Sequence, residues 1–310
     1  ANVSSTEFTV SLSNRSGQAL RPGSGQATVG TSALRLEGPQ KLTGGAKYID
    51  DYELPGCLHG VTVRSTVPHA RIKNIVFDPK FPWNECVVAT ARDVPVNEIA
   101  LLDNSQPLLA DALVRHPAEP IALIAHPDRQ KAYDALRFVK VEYEELPPVL
   151  DYETSKTSFK DYLISKGNLA KGFAQADFVV EGEYRVPAQE HAYIENNGMA
   201  AWWEPDGTLV VMGSLQCPYY VHKALQHMFK LPDPKVRVIQ TITGGGFGGK
   251  EEYPNMIGGH AAVLARKAGR PGEEEEGDYP EEKARRGVIL EPPGGEVRES
   301  HAQHHVHEAE

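Results

Sequence analysis

Cysteine is scarce in this chain. Only Cys57, Cys86 and Cys217 occur in 310 residues. They are far apart and never form C-x-x-C, so neither a disulfide framework nor a zinc or iron–sulfur site can be assembled from that spacing. Any redox cluster is therefore expected on another chain. Long apolar runs are missing too: 40% of the residues are hydrophobic, yet no run approaches the roughly 20 residues that a bilayer span needs. The opening stretch, ANVSSTEFTVSLSNRSGQ, has no basic region followed by an apolar core, so it does not resemble a secretion signal, and a cytoplasmic location is expected.

An excess of positive charge is also lacking. The net charge of -10 is concentrated at one end: from Gly272 onward there are 12 acids against 4 Lys or Arg, leaving 30 acids against 28 bases before it. The part with globular composition is close to neutral, and nucleic-acid binding has no electrostatic support.

The apolar pattern divides the rest of the chain. Residues 1–35 are rich in Ser, Gly, Thr and Asn without periodicity and are expected to form a flexible arm. Between Leu58 and Leu150, runs such as LHGVTVRST, RIKNIVF, ECVVAT, EPIALIAH and VKVEYEEL have strand length and composition. DRQKAYDALRFV interrupts them with Ala132, Ala135, Leu136 and Val139 at helical spacing, which points to a mixed α and β domain. A second unit starts near Gly167, where a short helix capped by Asn168 precedes an expected strand over ADFVVEGEYRVP. MAAWWEPDGTLVVMG has a hairpin pattern around Pro205, Asp206 and Gly207. PYYVHKALQHMFKL is amphipathic, KVRVIQTI is strand-like, and MIGGHAAVLARKAG is a helix closing at Gly269. His222 and His227 on the amphipathic helix are expected at the surface or in packing. From Gly272 the pattern dissolves into Glu, Gly, Arg and His, as in a disordered tail; His301, His304, His305 and His307 are expected to be solvated there.

Between the last strand and the last helix lies TGGGFGGKEE, Thr243 to Glu252. It contains G-x-G-x-x-G, but a dinucleotide fold needs another strand bearing an acid about 20 residues later, and the helix instead ends at AGRP. It also contains most of a P-loop, but Glu251 stands where a Ser or Thr should ligate magnesium. A tight turn with close packing explains one or two glycines and not five. Successive backbone N–H groups at a strand-to-helix turn suit an oxyanion or an oxo group, so an anionic cofactor is implied.

GGGFGGKE resembles the signature loop of the molybdenum hydroxylases, the xanthine dehydrogenase and aldehyde oxidase family. TGGAKYIDDYELPG, VRSTVPHARI, QPLLADALVR, EPIALIA and VEYEELPPVLD resemble, in order, landmarks of that family's hammerhead domain; KGFAQADFVVEGEYRVPAQEHAYIE and GSLQCPYYVHKAL resemble the start of its molybdopterin-binding domain. The resemblance covers about Leu36 to Pro271. It implies an α+β fold: a hammerhead-type α/β domain over 36–152, the first part of a molybdopterin-binding domain over 165–271, and a disordered acidic tail over 272–310. It also implies a molybdenum-dependent oxidoreductase that hydroxylates a purine, other heterocycle or aldehyde with oxygen from water. The cofactor would be molybdenum–molybdopterin, with iron–sulfur clusters and FAD on an iron–sulfur subunit and an FAD subunit.

By the same resemblance Gln189, Gln216, Gly245, Gly246, Phe247 and Gly248 lie at the cofactor, and Glu251 orients the substrate. An acid at that position favours a purine, since a carboxylate can accept ring N–H groups. The metal is held by the pterin, so no side chain is expected to ligate it; Glu190, His191 and Glu195 are expected behind the cofactor at best, and Lys250 and Glu252 to be solvated or structural. The family's base glutamate is absent from this chain. Glu291 in LEPPGG lies too near the loop and lacks the preceding glycine. Because the pattern stops at RKAGRP, the tail is read as a shifted frame or unrelated sequence, and the chain alone is expected to be inactive. Two other classes stay open, a non-catalytic assembly or binding module needing a partner chain and an NAD-type nucleotide-binding protein.

Overall fold

A computed structural model describes residues 32, 34–99, 106–158, 160–269 and 288–290. The chain divides into a unit of residues 1–46 and a unit of residues 47–310. In the first, α1 (Gly38–Thr43) starts with Pro39 in its first turn and ends at Gly44 in the left-handed conformation, the usual stop for a short helix; none of its residues is buried.

The described residues of the second unit form two sheets. One has the order β3-β5-β1-β10-β7-β8-β9, built from β1 (Leu58–Arg64), β3 (Val87–Thr90), β5 (Pro120–His126), β7 (Met199–Trp203), β8 (Leu209–Gly213), β9 (Val236–Gln240) and β10 (Val288–Leu290). The other joins β4 (Leu113–Val114), β2 (Ala70–Phe77) and β6 (Val139–Glu145) in the order β4-β2-β6. All seven β5 residues are buried, because β5 is covered on both faces and the period of two sends alternate side chains to different cores. Ala122 and Ile124 pack with Ala132 and Ala135 of α2 (Arg129–Ala135). Leu123 and Ala125 join the larger core around α5 (Tyr253–Ala268). That helix is buried continuously from Pro254 to Ala265, as expected of an interior helix without a polar face.

Most elements expected from the sequence are present. β7 and β8 form the antiparallel hairpin, α4 (Pro218–Phe229) carries the chain from β8 to the parallel strand β9, and the Asn168 side chain caps α3 (Leu169–Gln175) by accepting from Lys171 N–H. Two differences stand out. The strand expected after α3 does not form: Phe178, Val180, Tyr184 and Val186 are at least 81% exposed and the segment has no ladder partner among the described residues. Alternating apolar residues make a strand only where a neighbouring edge supplies the hydrogen bonds. Conversely, Val288–Leu290, within the segment expected to lack packed structure, lies between β1 and β7, parallel to the former and antiparallel to the latter. The rest of the tail, including its histidines and Glu291, lies outside the described residues.

Candidate functional site

Three chain segments meet beyond the ends of β7, β8 and β9: residues 193–197, residues 214–217 and the glycine loop 243–252. Gln240 Nε2 and Thr243 Oγ1 both donate to the Leu215 carbonyl, at 2.7 and 3.1 Å, so the loop leaves β9 already fixed to the chain leaving β8. Gly245 and Gly248 have φ of +101° and +97°, and Phe247 between them has φ of +50°, in the left-handed region that a bulky residue enters only under constraint.

Two side chains supply the constraint. Gln216 Oε1 accepts from Gly248 N–H at 3.0 Å and from Lys250 N–H at 3.2 Å, while Gln216 N–H donates to the Lys250 carbonyl at 2.7 Å. Glu195 Oε2 accepts from Gly244 N–H at 2.5 Å, from Ser214 Oγ at 2.6 Å and from Lys250 Nζ at 2.9 Å. Lys250 also donates to Ser214 Oγ at 3.0 Å and lies 4.9 Å from the centre of the Tyr193 ring, a cation–π distance. Its side chain is fully buried, so of the two readings, solvated or structural, the structural one holds. Burial opposes the charged form of Glu195, but hydrogen bonds from Ser214, Gly244 and Lys250 together hold its carboxyl below the ordinary range.

Packing also demands more of the glycines than expected. A Cβ on Gly246 would fall 2.3 Å from Gln216 Oε1, and one on Gly244 or Gly249 would fall 2.5 Å from Glu195 or Tyr193. Together with the left-handed turns this accounts for all five glycines, so their number alone does not imply an anion. The hydrogen-bond accounting leaves room for one. Among the described residues no group accepts from the N–H of Gly245, Gly246 or Phe247, and Gly246 is buried. Consecutive N–H groups beside left-handed residues make an anion-binding concavity, and buried donors are otherwise almost always paired. The donor set fits an oxygen-bearing anionic group.

The remaining candidates divide. Gln216 is in the site, but its oxygen serves the loop backbone. Glu251 is exposed, with its N–H on the Gly248 carbonyl at 3.3 Å; together with burial, the larger cause, its charge raises the Cys217 thiol. Gln189 is exposed in the unpaired segment and makes no hydrogen bond to the loop among the described residues. Two residues on, His191 lies against Gly248 and Gly249. Glu190 turns back on its own chain, accepting from His191 N–H at 3.0 Å. His222 pairs locally with the Val236 carbonyl and His227 meets Glu98, consistent with packing positions.

Residues 43–147 match the family model for the aldehyde oxidase and xanthine dehydrogenase a/b hammerhead domain, and residues 152–273 match that for the molybdopterin cofactor-binding domain. The chain belongs to the molybdenum hydroxylase family. It is 34% identical over 256 residues to a probable xanthine dehydrogenase component of Bacillus subtilis, covering 77% of this chain and 34% of that protein. It is 29% identical over 256 residues to the nicotinate dehydrogenase large molybdopterin subunit of Eubacterium barkeri, covering 78% of this chain and 60% of that one. Among solved structures it resembles quinoline 2-oxidoreductase from Pseudomonas putida 86, with a TM-score of 0.69 and 26% identity over 86% of this chain and 34% of that one. The chain thus spans about a third of the first and third of these relatives. No helix among the described residues is long and apolar enough to cross a membrane.

Proposed function

We propose that this chain supplies part of the molybdopterin-binding subunit of a xanthine dehydrogenase-like hydroxylase acting on a purine or related heterocycle, with iron–sulfur and FAD subunits as partners. The observation that carries the reading is the row of unaccepted N–H groups at Gly245, Gly246 and Phe247, held open by Gln216 and Glu195. When bound, the molybdenum–pterin group supplies hydroxylation of an electron-poor carbon with oxygen taken from water.

The chain's own residues bind and orient. The three N–H groups donate to oxygen atoms of that group without reorganising, because the loop is fixed before anything binds. Gln216 keeps its carbonyl oxygen on the loop, which leaves its amide N–H groups to face the cofactor. Gly248 shapes the left-handed turn beside Phe247, whose ring is exposed. Glu251 accepts ring N–H groups of the substrate. Gln189 comes to the site if the unpaired segment 176–190 acquires a neighbouring strand.

The test is a preparation from the native cells with its bound chains. It should contain molybdenum and oxidise hypoxanthine, and Glu251→Ala should raise the KM for hypoxanthine by roughly tenfold or more, the loss of one hydrogen bond to a charged group, with benzaldehyde oxidation little changed. A preparation without molybdenum overturns the cofactor assignment, and an equal effect on both substrates overturns the role of Glu251.

A further inference from the structure

We propose that Glu195 and Lys250 are a positioning pair that closes the glycine loop into a ring, so that the spacing of the Gly245, Gly246 and Phe247 donors depends on their mutual charge neutralisation. The two ends of the loop, Gly244 through its N–H and Lys250 through its Nζ, meet on one atom, Glu195 Oε2, at 2.5 and 2.9 Å. Glu195 N–H also donates to the Gly244 carbonyl at 3.4 Å, so Gly244 is gripped through both its N–H and its carbonyl. Glu195 is itself anchored away from the loop, Oε1 accepting from Ile49 N–H at 3.5 Å and Oε2 from Ser214. The carboxylate is therefore a fixed post and the loop a chain fastened to it at both ends.

Charge is required at this position and bulk alone is insufficient. The Lys250 side chain is fully enclosed by protein and closed to water, an environment where one partner without the other is strongly unfavourable while a neutral pair of similar volume is tolerated. If Lys250 only filled space, Met would replace it well. If its charge keeps the Glu195 carboxylate in place, Met should release the loop by leaving that carboxylate buried and unpaired, and removing the opposite charge as well should restore it, because Gln at 195 can still accept from Gly244 and Ser214 while the backbone N–H of residue 250 stays on Gln216 Oε1.

The inference rests on the loop being the donor array of the proposed function, and the experiment separates the two. Amide hydrogen exchange is measured on the full chain for wild type, Lys250→Met, Glu195→Gln and the double variant, with molybdenum per chain measured after gel filtration of the cofactor-loaded protein. The expected result is exchange at Gly244, Gly248 and Lys250 at least roughly tenfold faster in each single variant, with β5 amides unchanged and the double variant close to wild type; a local opening exchanges independently of the core. Molybdenum retention should fall in the single variants and recover in the double. Unchanged loop exchange in Lys250→Met, equal acceleration in β5, or a double variant worse than either single overturns the positioning pair. If loop exchange follows the expected order while molybdenum content is the same in all four proteins, the pair stands and the placement of the cofactor at this loop falls. Should either single variant fail to fold, the double variant still decides, because the pairing requires it to fold and to protect the loop.

Discussion

Replacing Gly246 with alanine isolates the contact that holds the middle of the glycine loop. The added Cβ would lie 2.3, 2.7 and 3.0 Å from Oε1, Cδ and Cγ of Gln216, the first two closer than a Cβ can approach, so the Gln216 side chain must move. Its far end is flexible and can do so, but Oε1 then leaves the N–H groups of Gly248 and Lys250. Two neutral hydrogen bonds contribute about 2 kcal/mol. Gly246 has an ordinary backbone conformation, so alanine returns about 0.5 kcal/mol by restricting the unfolded chain, and the net loss is about 1.5 kcal/mol. Gln216→Ala removes the same two bonds without the clash, and in the double variant the new methyl no longer meets the Gln216 side chain. Urea unfolding of wild type, both single variants and the double variant, followed by tryptophan fluorescence, should therefore give a double variant no less stable than Gln216→Ala, a coupling of more than about 1 kcal/mol. Additive losses would refute the contact between Gly246 and Gln216 as the basis of the loop's shape.

Two further outcomes test the surrounding fold. His260 is fully buried with Nε2 on the Leu108 carbonyl at 3.1 Å, which requires Nε2 to carry the proton; burial depresses its pKa to about 3. The unfolded chain takes up this proton first, so the stability His260 confers is complete above about pH 6.5 and declines by about 1.4 kcal/mol per pH unit as pH falls from there toward 3. His260→Gln should flatten the fall in urea midpoint between pH 6 and pH 5, and an unchanged slope would show that the group titrates normally. Val288 is fully buried opposite Leu58 and Ala201, so Val288→Asp places an unpaired charge inside the larger sheet and should cost more than about 3 kcal/mol; a stability within about 0.5 kcal/mol of wild type would mean that β10 is not part of the sheet.

What the sequence disclosed was mostly local. The β7–β8 hairpin could be anticipated because both strands and the turn of Pro205, Asp206 and Gly207 lie within fifteen residues of one another, and α3 because Asn168 announces its own cap. β10 could not: its three residues sit in a charged tail, and what makes them a strand is a gap between β1 and β7, far away in the chain. The segment after α3 shows the reverse, strand-like residues without an edge to receive them. At the site, Gln216 and the glycine loop were legible as a motif, whereas the Glu195–Lys250 pair was not. Charged residues fifty-five positions apart are assigned to the surface by default, and only the fold shows that the Lys250 ammonium and the Gly244 amide end on the same Glu195 oxygen.

The division of the loop's N–H groups explains why so short a segment needs two separate holds. Those of Gly244, Gly248, Gly249, Lys250 and Glu251 are accepted within the protein, and among the described residues nothing accepts from those of Gly245, Gly246 and Phe247. Of these three residues only Gly246 is buried; a buried donor left without an acceptor costs about 1–3 kcal/mol, so a free loop would turn the Gly246 N–H toward one of its own carbonyls or toward water. Gln216 and Glu195 prevent this by consuming the donors on either side and fixing the left-handed turns between them. The strain sits at Phe247, where a non-glycine residue occupies φ of +50°, and it persists because both flanks are held. The oxygen-bearing group proposed to bind here would thus meet, at Gly246, a donor that the fold has already set in place, and its binding would be favoured by the difference between the paired and unpaired donor without further ordering of the chain.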